Sequence, residues 1–140
     1  MTFWIWVWKS FTRGLNPIYM DSLDAEGWKN VEAATMEGAR QAMGQTRRFS
    51  EKMNLAAMTP QPKLASTRYC LANPGKEYLV YQPKPGEAFS VNLKRGAYHC
   101  EWFDPVKGVP TDGEPIESHG GAQEFKLPFD TDAVLYLKAE

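Results

Sequence analysis

The chain has 140 residues, 43% hydrophobic and 24% charged, with 16 Lys and Arg against 17 Asp and Glu. That is enough apolar material for one domain of ordinary size, or a domain with an appendage. A net charge of −1 argues against a nucleic-acid partner held by bulk positive charge, and the apolar run from Phe3 to Trp8 falls well short of the roughly twenty residues that a membrane span needs.

That run is not a signal peptide either, since no basic residue precedes it and no small-residue cleavage site follows a long apolar stretch. Trp4 to Phe11 reads as a short helix ended by Gly14. Read as extended chain instead, Trp4, Trp6 and Trp8 alternate onto one side as a sugar-stacking stripe, although such a cluster is more commonly core or a subunit contact. Asn16 to Asp21 reads as a short extended piece. Met36, Ala39, Met43, Thr46, Ser50 and Met53 recur at steps of three and four, which predicts a helix starting around residues 32–35 and ending near Asn54. Within it Gly38 and Gly44 each weaken the helix by roughly 1 kcal/mol relative to Ala.

Pro60 and Pro62 mark a connector, because each removes a backbone donor and biases the residue before it to extended geometry. Composition changes there. Residues 1–62 hold all six Met and four of the five Trp, whereas residues 63–140 hold seven of the ten Pro and seven of the eleven Gly. The second part reads as strands. Thr67–Ala72 leads into the turn tripeptide Asn73-Pro74-Gly75, and Glu77–Gln82 follows. Phe89, Val91 and Leu93 alternate with polar residues. Tyr98, Cys100 and Trp102 alternate with His99, Glu101 and Phe103, so the first three are expected in the core and His99 and Phe103 on the outside. A Gly/Pro-rich loop precedes two further strands, Gln123–Leu127 and Ala133–Lys138. Six short strands with turns about every ten residues describe an antiparallel sandwich or barrel. The fold class is therefore α+β, a helical segment over 1–62 followed by an antiparallel β-sandwich over 63–140.

Motifs of chemistry are sparse. Cys70 and Cys100 permit at most one disulfide. His99 and His119 show no zinc spacing, and phosphate-binding glycine loops and the nucleophile elbow are absent, so neither a metal nor a cofactor is expected. Asp130 and Asp132 alone do not make a calcium site.

Three stretches carry a resemblance: Arg68-Tyr-Cys-Leu-Ala-Asn-Pro-Gly-Lys-Glu-Tyr-Leu-Val-Tyr81, Glu101-Trp-Phe-Asp-Pro105 with Gly108, and Pro128-Phe-Asp-Thr-Asp-Ala-Val-Leu-Tyr-Leu137. Over about residues 64–140 the chain resembles the C-terminal β-sandwich family labelled as a collagen-binding domain, which follows the (β/α)-barrel of bacterial glycoside hydrolases. By the same likeness Trp8–Gly14 is similar to a late barrel helix, Asn16–Asp21 to the last barrel strand and Met36–Asn54 to the last barrel helix. The resemblance implies a non-catalytic accessory domain that holds polysaccharide or a collagen-like matrix protein, in a secreted or periplasmic bacterial setting. It leaves two alternatives open: a portion of a glycoside hydrolase completed by another chain, or an oligomerisation module.

No catalytic residue is expected in this chain, because glycoside hydrolysis uses two fixed carboxylates and the strands that would bear them are missing. The candidate ligand-binding residues are Asp21, at the barrel-like strand end where barrel enzymes place site residues, Trp8 of the aromatic stripe, and the outward His99 and Phe103. A helix cap before Ser22 is the commoner role for Asp21. The apolar stripes of residues 1–58 would lack neighbours without a barrel, so a homo-oligomer through that segment is expected.

Overall fold

A computed structural model of the chain describes residues 3–18 and 33–140. The expected extended piece at Asn16–Asp21 is described only through Ile18, without regular structure, and Asp21 lies outside the described residues. Helix α1 (Phe3–Thr12) ends as its sequence predicts. Gly14 takes a left-handed φ of 77°, donates to the Phe11 carbonyl at 3.0 Å, and lets Leu15 donate back to Ser10 at 3.0 Å.

Helix α2 (Ala33–Lys52) falls within the expected span, but its buried stripe is rotated from the expected one. Ala39, Ala42, Gln45, Thr46, Phe49 and Met53 are buried, while Met43 and Ser50 are half-exposed flanks. The rotation follows from two residues that the apolar period ranks poorly. Phe49 is the largest ring on the helix, and Gln45 goes inside because it has buried partners there. Gly38 also has a packing use: a Cβ there would sit 3.1 Å from the Trp4 ring, so the glycine lets α1 approach α2 closely.

After a 3₁₀ turn at Leu55–Ala57 the chain forms nine strands: β1 (Thr59–Pro60), β2 (Cys70–Asn73), β3 (Glu77–Gln82), β4 (Phe89–Leu93), β5 (Gly96–Asp104), β6 (Val109–Asp112), β7 (Ile116–Ser118), β8 (Gly121–Phe125) and β9 (Ala133–Ala139). All six predicted strands are present, with β2 and β8 displaced by a few residues. The additions are β1, β6 and β7. Strand β6 was hidden in the Gly/Pro-rich loop because it is an exposed edge strand carrying Pro110, without an apolar alternation to reveal it. Seven strands form one antiparallel sheet in the order β1-β2-β3-β9-β5-β6, with β7 also paired to β5, and β4 and β8 form a second, two-stranded sheet.

The large sheet is buried on both faces. Every residue of β3 is buried, as is β9 from Ala133 to Leu137. On one face Tyr78, Val80, Tyr98, Cys100, Trp102 and Leu135 meet Phe89, Val91, Leu93 and Phe125 of the small sheet, and this core lies entirely within residues 63–140. On the other face Leu79, Tyr81, Phe103, Val134 and Tyr136 meet Val7, Trp8, Phe11, Ala42, Phe49 and Met53 of the helices, a core shared across the connector. The architecture is thus three layers: helices, seven strands, two strands. Among the described residues no helix is long and apolar enough to cross a membrane.

Tyrosines tie down the ends of the central strands. The Tyr78 hydroxyl accepts from the Gly75 amide at 2.8 Å and the Lys94 amide at 3.1 Å, linking the Asn73-Pro74-Gly75 turn to the β4–β5 turn. Tyr98 completes the link by donating to the Lys94 carbonyl at 2.8 Å. Tyr136 donates to Glu77 Oε2 at 2.5 Å, and Glu77 Oε1 accepts from the Asn54 amide at 3.0 Å, which fixes the exit of α2 against β3.

Cys70 and Cys100 face the same core but are separated by three strand spacings, roughly 14 Å, beyond the reach of a disulfide. Both are free. Burial pushes the Cys70 thiol up to about 12 and the Cys100 thiol up to about 11, so neither forms an appreciable thiolate at neutral pH.

Because Trp8 joins both helices to the large sheet, Trp8→Ala is expected to lower unfolding stability by about 3–5 kcal/mol. The measurement is urea unfolding followed by near-ultraviolet circular dichroism and tryptophan fluorescence. A loss below about 1 kcal/mol would mean that the helix layer is not bound to the sheet as described.

Candidate functional site

Alternation along β5 correctly places His99, Glu101 and Phe103 on one face and Tyr98, Cys100 and Trp102 on the other. What it does not reveal is that the first face is the one the helices cover. Phe103 is therefore 6% exposed rather than outward, with its ring 5.4 Å from that of Phe49 at 79°. Helix α2 ends alongside Glu101, where Lys52 Nζ meets Glu101 Oε1 at 2.5 Å. His99 lies past that end and stays in solvent, its Nε2 3.9 Å from Asp112 Oδ1.

Trp8 is fully buried at the centre of the aromatic cluster. Its ring stacks on Tyr81 at 6.1 Å and meets Phe103 at 6.0 Å. Its Nε1 donates to Gln45 Oε1 at 3.2 Å, and Gln45 Nε2 donates to the Pro105 carbonyl at 3.0 Å, so a buried relay joins α1, α2 and the β5–β6 turn. The structure brings Trp8 and Phe103 together, but in the interior, where they present no surface to a ligand. His99 stands apart from them.

Two open clefts lie where the helix layer stops. One cleft of about 270 Å³ runs between α2 and the β5–β6 edge, with Phe49 and Phe103 at its floor and Arg48, Lys52 and Glu101 around it. A larger cleft of about 530 Å³ runs between α1 and the β2–β3 side, lined by Lys9, Ser66, Thr67, Tyr69, Lys84 and Glu87 among others. Tyr69 is its aromatic wall. The Lys9 ammonium lies 5.3 Å from the ring centroid and the Arg13 guanidinium 4.8 Å, and Arg13 also donates to the Tyr69 hydroxyl at 3.3 Å. Sequence reasoning missed this cleft because its lining comes from three separate segments. The one local signal is the four-residue spacing of Lys9 and Arg13, which puts two cations on one side of α1.

Among the described residues each buried carboxylate has an internal partner. Glu77 holds Tyr136 and Asn54, as described above. Asp104 Oδ1 accepts from the amides of Val106 at 2.9 Å and Lys107 at 3.1 Å and so shapes its turn. Asp132 Oδ2 accepts from the Tyr81 hydroxyl at 2.6 Å. Burial is the main cause that raises the Asp132 pKa above its ordinary value, with the nearby Asp104 charge adding to it, while Tyr81 and the Trp4 indole pull the other way. The same burial, and the same carboxylate, raise the Tyr81 phenol. Among the described residues no group of three or more His, Cys, Asp or Glu side chains converges as a metal site would require.

No family model matches the chain, and no curated protein matches it. Solved structures do. A glycoside hydrolase superposes with a TM-score of 0.62 at 13% identity, over 94% of this chain and 32% of its own. A family 5 glycoside hydrolase from Bacteroides vulgatus superposes with a TM-score of 0.63 at 14% identity, over 94% of this chain and 31% of its own. At such identities the likeness is one of fold. The chain spans about a third of the length of these proteins, and residues 63–140 are little more than half of it, so the matched span includes the helix layer as well as the sheets.

The raised Asp132 pKa makes a pH prediction. Between 3.8, the ordinary value, and its raised folded value, the folded chain holds a proton that the unfolded chain has released. The stability from that proton is fully present below 3.8 and lost as pH rises through the folded value. Asp132→Asn keeps an acceptor for Tyr81 and removes this titration. The melting temperature of the variant minus that of the parent should therefore grow as pH rises across the window. Parallel melting curves from pH 4 to 8 would show that Asp132 titrates as in the unfolded chain.

Proposed function

We propose that the chain is a non-catalytic accessory domain of a glycoside hydrolase, and that it holds a polysaccharide or a collagen-like matrix protein near that enzyme. The observation that carries this reading is the match of helices and sheets together, as one unit, to about a third of two glycoside hydrolases. The bonding of Glu77, Asp104 and Asp132 supports it further. These carboxylates are engaged in holding turns and strand ends, and none is paired across an open cleft as glycoside hydrolysis demands. The finer assignment, to the β-sandwich family labelled as collagen-binding, rests on the sequence resemblance over residues 64–140.

A second reading is favoured by the apolar side chains that the fold leaves outside. Most of the helical stripes lie against the large sheet, but among the described residues Trp6 and Leu55 are each 36% exposed, Leu15 57% and Ile18 77%. Self-association through residues 1–58 would use these four, a contact much smaller than the full stripes would offer.

Two measurements test these readings. The purified chain, incubated with aryl glycosides and natural polysaccharides, is expected to show no turnover. Turnover abolished by Asp21→Ala would overturn the non-catalytic reading. Light scattering across micromolar concentrations decides self-association: a dimer converted to monomer by Ile18→Lys supports it, and a monomeric parent rejects it.

A further inference from the structure

We propose that the cleft between α1 and the β2–β3 side binds an acidic, hydroxyl-rich glycan, with the ammonium groups of Lys9 and Lys84 as its anion contacts. This inference rests on the reading that the domain holds a polymer, and it names the place and the class of polymer. The cleft, at about 530 Å³, has about twice the volume of the one beside α2, room enough for one to two sugar rings.

Its charge is unbalanced in a specific way. Lys9 in the last turn of α1 and Arg13 just past its end lie four residues apart and face the same Tyr69 ring, and neither has a carboxylate partner among the described residues. Two cations against one ring repel each other. The ring face and the negative end of α1 offset part of that cost, and an anion in the cleft would offset more. Lys84 adds a third cation. Its pairing with Glu87 at 3.2 Å is solvent-exposed and exchanges easily for another anionic oxygen.

The remaining lining suits a sugar ring. Ser66 Oγ accepts from the Ser90 amide at 2.9 Å, and Thr67 Oγ1 accepts from the Tyr69 amide at 3.2 Å. Both hydroxyls keep their protons to donate to a ligand. Glu87 is the one carboxylate of the lining, and it can accept from sugar hydroxyls. The cations over Tyr69 also explain why an acidic rather than a neutral glycan is inferred. A neutral sugar would need to stack on the ring that Lys9 and Arg13 already cover, whereas an anionic one meets the Lys9 ammonium in the cleft lining directly.

Affinity gel electrophoresis tests this with polygalacturonate, a carboxylated glycan, and chondroitin sulfate, which also carries sulfate. Xylan and dextran serve as neutral glycans, and binding to a collagen film is measured in parallel. Acidic glycan should retard the chain, with the two acidic polymers showing whether carboxylate alone suffices. The double substitution K9Q/K84Q should weaken this roughly tenfold, as expected for loss of charge-assisted contacts. K107Q/K138Q removes the same charge away from the cleft and should leave retardation unchanged. Should K9Q not fold, as judged by thermal melting, the exposed K84Q alone should still show a measurable loss. Equal weakening in the K107Q/K138Q control would mean bulk attraction and would overturn the site. So would retardation by neutral glycan, or collagen binding, that K9Q/K84Q leaves intact, although the polymer-holding reading would then stand. Failure to bind any glycan or collagen would overturn both.

Discussion

A sheet that is apolar on both faces has to be covered on both, and this constraint organises the molecule. Strands β3 and β9 have no solvent side, and the two layers that shelter them differ in kind. One is a short two-stranded sheet contributed by β4 and β8. The other is a pair of helices anchored by Trp8, whose ring touches Tyr81, Phe103, Phe49 and Phe11 at once. Without the helices, Leu79, Tyr81, Val134 and Tyr136 would form a broad apolar face of the kind that soluble chains do not leave open. The helical segment is thereby a layer of the fold as much as a neighbour of the sandwich.

The same constraint decides where polar groups go. Buried hydroxyls and carboxylates gather at the ends of the central strands, where a backbone or side-chain partner is within reach. Tyr136 with Glu77 holds one end, Tyr81 with Asp132 the other, and Tyr78 with Tyr98 joins two turns beneath the small sheet. Inside the helix–sheet core the Trp8–Gln45 relay is closed on the Pro105 carbonyl, and Thr12 donates to the Trp8 carbonyl at 2.7 Å. Two of the open clefts lie at the margins of the helix layer, where Lys9 and Tyr69 on one side and Arg48, Lys52 and Glu101 on the other remain accessible.

The likeness to glycoside hydrolases extends through both helices and sheets at 13–14% identity, so what is shared is the layering rather than particular side chains. A layering of this kind can persist while its margins diverge, because the core pairs are set by packing and the rim by solvent.

Sequence by itself determined the elements whose signal is local. Gly14 ends α1 because only a residue at ease with left-handed φ completes that cap, and the alternation of Phe89, Val91 and Leu93 makes a one-sided strand wherever it is placed. The two faces of β5 were legible for the same reason, since side-chain period two is a property of the strand alone. Which of those faces is covered was not legible. Phe103 and His99 share a face, yet one is under α2 and the other past its end, and nothing within β5 encodes where a helix fifty residues earlier will stop. The rotation of the α2 stripe toward Phe49 and Gln45 has the same origin, because a glutamine is buried only when a distant tryptophan and carbonyl satisfy it. The α1 cleft likewise exists only because three segments far apart in the chain converge on Tyr69. Local backbone chemistry is written residue by residue, whereas exposure is a property of what lies opposite, and only the tertiary structure decides that.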